Sequence, residues 1–161
     1  MKIIFNKNQG LTLVEVLVGV FLIAIIILSV AQVSFIALKA LKDKDDKIKA
    51  LSYAKEGMEI VRYLRDESWS LNIANLNLDT NYYFDNSSGK WSLTQTNPGL
   101  LEGKFKRFVV FKSVMRDSND NIVSSGGLND PKTRKVIVTV LWDDDKKNVS
   151  ISAYITDLFN N

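Results

Sequence analysis

The sequence predicts an α+β fold: a long N-terminal α-helix, its first half able to span a membrane, packed on a C-terminal antiparallel β-sheet. Three observations predict it. From Leu11 to Ala31 the chain runs 21 residues in which only Thr12, Glu15 and Ser29 are polar. No glycine–proline break separates this block from the amphipathic stretch that follows. Three later segments are rich in β-branched and aromatic residues, and turn formers lie between them.

At about 1.5 Å per residue, a helix over the apolar block covers the roughly 30 Å hydrocarbon core of a bilayer. Lys2 and Lys7 precede it with no acid among residues 1–10. A short positive segment of that kind holds its own end in the cytoplasm, so the chain beyond the span is expected outside. Secretory cleavage after the apolar block fits poorly, because the block is too long and continues as helix rather than turn. Glu15 is the anomaly. An ionised side chain deep in a spanning helix costs about 2.5–3.5 kcal/mol, which makes it a functional candidate. The bland reading is that Glu15 snorkels to the cytoplasmic interface.

Beyond the membrane the helix is expected to continue to about Arg65. Ile48, Leu51, Ala54, Met58, Val61 and Leu64 recur at three- and four-residue spacing, an apolar stripe for a partner. The run Lys42–Lys49 reads as solvated helix surface. Gly57 reads as a weak point costing about 1 kcal/mol relative to alanine. Residues 68–104 hold most of the turn formers and read as an irregular connection. A hairpin is expected there, Tyr82–Phe84 against Trp91–Leu93 across Asn86–Gly89. Strands are expected at Phe105–Met115, Arg134–Trp142 and Val149–Leu158, joined by turns at Asp117–Asn121 and Asp143–Lys147. The apolar face of this sheet, with Val136, Val138, Val140 and Trp142, is expected to cover the outer half of the helix.

Composition narrows function. The 161 residues include no cysteine and no histidine, and the formal charge is +3. No disulfide framework or thiolate site is possible, and the usual base near neutral pH and commonest metal ligand are missing. No catalytic residue, cofactor or metal is expected. Asp117, Asn119 and Asn121 alternate like the start of a calcium loop, but Ile122 and Leu128 stand where glycine and glutamate would be required, so a turn is expected. Lys104, Lys106, Arg107 and Lys112 lie among Phe105, Phe108 and Phe111. Strand alternation should place rings and charges partly on opposite faces, leaving a nucleic-acid surface unsupported.

The boundary Gly10–Leu11, followed by Thr12, Leu13, Val14 and Glu15, resembles the processing site of type IV prepilins and pseudopilins. The resemblance covers roughly residues 1–65 closely and the rest only in general layout. It implies that residues 1–10 are a leader, that a prepilin peptidase cuts between Gly10 and Leu11, and that Leu11 is then N-methylated. Thr12, Leu13 and Val14 would be recognised beside the cut. The cut would free an amine on Leu11, four positions before Glu15 on the same helix face. Family behaviour implies that Glu15 sets subunit register by finding a neighbour's N-terminus. Residues 11–35 would then form the transmembrane and filament-core helix, 36–67 its amphipathic continuation, and 68–161 the variable loop region and β-sheet head. Gln32 and its neighbours lack the helix-bending proline of many major pilins, and Leu11 replaces the more usual phenylalanine. Both departures point to a minor pilin or pseudopilin. Implied partners are the peptidase/methylase, other pilins, an inner-membrane platform protein with its assembly ATPase, and the lipid bilayer before assembly. The rival from the residues alone is a permanently anchored single-span protein whose extracytoplasmic β-rich head binds DNA, polysaccharide or another cell.

Overall fold

The computed structural model describes residues 12–159. It divides into two units, one ending at Asp45 and one beginning at Asp46. The element order is α1 (Leu13–Glu67), α2 (Trp69–Asn72), β1 (Tyr83–Asp85), β2 (Ser92–Thr94), β3 (Lys106–Arg116), β4 (Ile122–Val123), β5 (Leu128–Trp142) and β6 (Lys147–Thr156). One long N-terminal helix and antiparallel sheets give the α+β, pilin-like arrangement.

In the first unit the helix presents apolar side chains on every side: Phe21, Leu28 and Phe35 are each more than 60 % exposed. A stripe of polar residues, the mark of a helix made for water, is missing from this stretch. Its two serines bond inside the helix, Ser29 Oγ donating to Ile25 O at 2.8 Å and Ser34 Oγ to Val30 O at 2.9 Å. In hydrocarbon a hydroxyl has no water to turn to, so this back-bonding suits a lipid-facing helix.

In the second unit α1 becomes one-sided. Ala50, Ala54, Gly57, Met58, Ile60, Val61 and Leu64 are buried. Ala54, Met58, Val61 and Leu64 are buried as the stripe predicted and Leu51 is half-buried; only at its start does the stripe differ, where Ile48 is 57 % exposed and Ala50 is buried. Gly57 is more than a weak point. A Cβ built there would lie 2.9 Å from Val138 Cγ1 and 3.2 Å from both Arg107 Cδ and Phe84 Cζ. The missing side chain is what lets helix and sheet meet.

The four-stranded sheet has the order β4-β3-β5-β6, every pair antiparallel, and β1–β2 form a separate hairpin. That hairpin pairs Tyr83–Asp85 with Ser92–Thr94, one residue along from the expected segments. Val136, Val138, Val140 and Trp142 line the inner face with Phe105, Val109 and Phe111, as the alternation required. Strand β5 starts six residues before the expected Arg134 and runs through Pro131. The ladder to β3 shifts register there, with Ser113 opposite Arg134 but Val114 opposite Asp130. Proline is tolerated in a strand at such a bulge, because no ladder bond needs its missing N–H. Strand β6 ends at Thr156, so Leu158 lies outside it and is exposed. Strand β4 and helix α2 were not foreseen; both are too short to carry a periodic signal.

Alternation within β3 differs from expectation at two positions. Arg107 points inward with Phe105, Val109 and Phe111, while Phe108 stays only half-buried on the outer face beside Lys106. The Arg107 guanidinium sits 4.7 Å from the centre of the Phe84 ring, donates to Tyr53 O at 3.0 Å and pairs with Glu56 Oε1 at 3.2 Å. A buried charge needs that much company. The other basic residues of this stretch also meet carboxylates: Lys104 with Asp46, Lys106 with Asp145, and Lys112 with Asp79. A face of paired cations has little free charge for a phosphate backbone.

The loop before β3 is clasped to the helix. Glu102 accepts from Lys49 at 3.1 Å and from the Tyr53 hydroxyl. The Tyr53 bond, then Lys49, hold its carboxyl below the usual range, while burial and then Glu102 push the Tyr53 phenol up. The Asp117–Asn121 segment is the expected turn. Asp117 Oδ1 accepts from the backbone N–H groups of Asn119 and Asn121, both at 2.9 Å. At the β5–β6 turn, Asp143, Asp144 and Asp145 all adopt left-handed backbone with φ of 58°, 53° and 64°. Aspartate is among the few non-glycine residues that accept this conformation.

Candidate functional site

The site picked out by the sequence is the start of α1, and here the structure adds a device that the sequence reading missed. Thr12 lies just before the helix, and its carbonyl accepts the first helical bond, from Val16 N at 3.2 Å. Its hydroxyl accepts from Glu15 N at 3.3 Å and donates to Glu15 Oε2 at 3.1 Å. In return Glu15 Oε2 accepts the Thr12 backbone N–H at 3.0 Å. Threonine and glutamate three residues apart, each satisfying the other's backbone donor, form a capping box. The signal was legible as Thr-x-x-Glu ahead of an apolar run.

The box changes what Glu15 costs. Its carboxylate is in the first turn of the helix, not in the middle of the span. There it meets the positive end of the helix dipole, worth about 0.3–1 kcal/mol, and two donors from Thr12. A good N-cap contributes about another 1 kcal/mol. These terms offset a part of the insertion penalty of about 2.5–3.5 kcal/mol, and among the described residues both bonds to the carboxylate fall on Oε2.

Among the other residues named for this site, Leu13 and Val14 open the helix with side chains 83 % and 68 % exposed. They therefore present an accessible apolar surface beside the box. Gly10 and Leu11, the residues named for cleavage and methylation, lie outside the described residues. Gly19, one turn beyond Glu15, has no atom within 4 Å of where its Cβ would stand. Helix α1 carries a stretch long and apolar enough to cross a membrane.

Residues 5–31 match a family model described as the prokaryotic N-terminal methylation motif. The match begins before the described residues, includes Gly10 and Leu11, takes in the capping box and ends within the apolar stretch. No curated protein and no solved structure matches the chain. The motif supports a type IV pilin-like prepilin, a structural class, which is processed by a prepilin peptidase and assembles with other pilins. The apolar start of α1 fits anchoring in a membrane.

Proposed function

We propose that this type IV pilin-like prepilin is a minor pilin or pseudopilin, a non-catalytic subunit of a type IV pilus or type II secretion-like filament. The peptidase cuts between Gly10 and Leu11 on the cytoplasmic side and Leu11 is N-methylated. Thr12, Leu13 and Val14 are read beside the cut. The subunit waits in the cytoplasmic membrane, N-terminus inside and head outside, until a platform protein and its ATPase pass it into the filament. The observation that carries this reading is the methylation motif over residues 5–31, with Glu15 and its partner Thr12 inside it.

In this mechanism the capping box is a holding arrangement. Before assembly, Thr12 occupies Glu15 Oε2 and keeps the carboxylate at the helix start. On assembly the methylated amine of a neighbour's Leu11 meets Glu15, and its positive charge offsets desolvation that hydrogen bonds alone leave uncovered. Register follows because only one axial offset brings amine and acid together.

A permanently anchored single-span protein is the second reading, and one observation favours it: the box gives the Glu15 carboxylate two donors from its own chain, without any neighbour. Two measurements separate the readings. Mass spectrometry of protein from its native host should find a chain beginning at methylated Leu11, whereas an intact residue 1–10 segment overturns the proposal. Glu15→Gln keeps the capping box, since glutamine also reaches back from this position, but removes the charge. The variant should be cleaved normally and excluded from filaments. Normal incorporation would leave Glu15 as a cap and nothing more.

A further inference from the structure

The outer face of the four-stranded sheet carries a row that breaks a pairing rule. Lys112 of β3 stands directly opposite Lys135 of β5, and Lys135 directly opposite Tyr154 of β6. Their chain neighbours Phe111 and Val136 are fully buried on the inner face, so alternation turns this row outward. Like charges in directly opposed positions destabilise a sheet. A local cost that the fold itself does not recover marks a candidate site.

The way the β3 edge is covered decides which lysine finds a carboxylate. Val109 and Tyr82 exchange both backbone bonds, at 2.8 and 2.9 Å, and Asp79 N donates to Phe111 O at 2.9 Å. Asp79 is thereby fixed beside β3, where its carboxylate meets Lys112 Nζ at 2.8 Å. Lys135 lies one strand further in. Among the described residues it forms no ion pair, and its ammonium stands 6.0 Å from the centre of the Tyr154 ring.

Beside this row lies a cleft of about 450 Å³, at the place where β3 shifts register between Ser113 and Val114 and β4 joins its end. That volume is within the range of small-molecule sites. Lys135 and Tyr154 line it together with the apolar Met115 and Ile122. Ser113 and Ser124 also line it, and among the described residues neither hydroxyl is hydrogen-bonded. None of the described residues lining it is acidic.

We propose that this cleft binds an acidic sugar, a ring carrying one carboxylate, as in a hexuronate unit of a polysaccharide. The carboxylate gives Lys135 a charge-assisted partner and screens it from Lys112. Ser113 and Ser124 each donate and accept, which suits the ring hydroxyls. The C–H face of the ring has Tyr154, 50 % exposed, and Met115 to lie against. An aromatic acid would satisfy the lysine and leave both serines unmatched. A nucleic-acid strand needs a track of free cations, whereas Lys104, Lys106 and Lys112 already hold carboxylates.

The test uses the full chain in detergent micelles at low salt, with trigalacturonate as the probe and neutral galactotriose as its control. Titration calorimetry should show binding of the acidic trisaccharide alone. Lys135→Gln should weaken it by about tenfold or more, because a charge-assisted bond is lost. Tyr154→Ala should weaken it as well, while Lys106→Gln, outside the cleft, should leave it unchanged. Since Lys135→Gln also removes one of two opposed charges, its urea midpoint should equal or exceed that of the wild type, so the loss is one of binding and not of folding. In the wild type, amine acetylation read by mass spectrometry should find Lys135 protected by the probe and Lys106 unprotected, a result that depends on no variant. Equal binding by wild type and Lys135→Gln, equal binding of the acidic and neutral trisaccharides, or labelling of Lys135 that the probe does not slow would overturn the proposal. So would benzoate that protects Lys135 as well as trigalacturonate does, or a single-stranded oligodeoxynucleotide that protects it better.

Discussion

Helix α1 contains two regions that obey opposite rules. Up to Asp45 its large apolar side chains face outward; from Ala50 to Leu64 the buried positions include Ala54 and Val61, both fully covered. The backbone is the same α-helix throughout. What differs is the medium each region is built for. A helix apolar all round has no inside and suits lipid or a bundle of like helices, whereas a one-sided stripe needs a single protein surface. The glycines follow the same division: Gly57 is a contact point against the sheet, whereas a Cβ at Gly19 would meet open space.

Charge placed in each region should break the contrast most sharply. Val61→Asp puts an unpaired carboxylate in the core and should cost more than about 4 kcal/mol, unfolding the head while membrane partition persists. Ile26→Asp should do the reverse, because the side chain is 61 % exposed and touches no core. It should weaken membrane insertion by about 2.5–3.5 kcal/mol and leave head stability unchanged. The three tryptophans, Trp69, Trp91 and Trp142, all lie in the second unit, so their fluorescence during urea unfolding reads the head alone. Membrane fractionation reads the span.

Substituting the two glycines sharpens the comparison with a smaller effect. Gly57→Ala gains about 1 kcal/mol of helix propensity but forces a methyl group against Val138, and overpacking of this kind costs about 1–3 kcal/mol. Net destabilisation is expected in the same unfolding assay. Gly19→Ala meets open space and should raise helicity in micelles without moving the head's transition. A stabilising Gly57→Ala would show that sheet and helix can part freely, contrary to the packing described.

The smallest effect is confined to the head and depends on pH. Three carboxyls there are held below their usual range. In Glu102 the Tyr53 hydroxyl is the main cause; in Asp117 it is the Asn121 backbone N–H; in Asp130 burial acts upward but is outweighed by Thr133, Arg116 and Lys132. A folded-state value below the unfolded one means the unfolded chain binds more protons, so stability rises with pH through this window. Their contribution is complete above about pH 5 and is lost as pH falls below about 4, through the depressed values. Urea midpoints measured from pH 7 to pH 3 should fall on the acid side, and Asp130→Asn should flatten that fall. An equally steep fall in the variant would remove Asp130 from the account.

How much of this was legible in the sequence differs by region. Apolar length and the Gly10–Glu15 spacing pointed to the helix long and apolar enough to span and to the candidate site, because both depend on neighbours along the chain. The Thr12–Glu15 box was equally local; it went unread although its spacing was in view. The core strands were also legible, since Val136, Val138 and Val140 alternate without exception.

Contacts between distant segments were not legible. Arg107 looked like a solvated cation until Glu56, Tyr53 and Phe84 were brought around it from two other elements. Gly57 looked like a flaw until Val138 was set beside it. Strand β5 ran past its apolar end into Pro131 because a bulge absorbed the residues that periodicity could not place. By itself the sequence determined which stretch is built for lipid, which segments are strands, and where an acid stands at a helix start, because hydrophobic period and capping act over a few residues. Tertiary structure alone decided which charge goes inside, how closely the helix meets the sheet at Gly57 and what covers the β3 edge, because each depends on groups that the chain brings together only when folded.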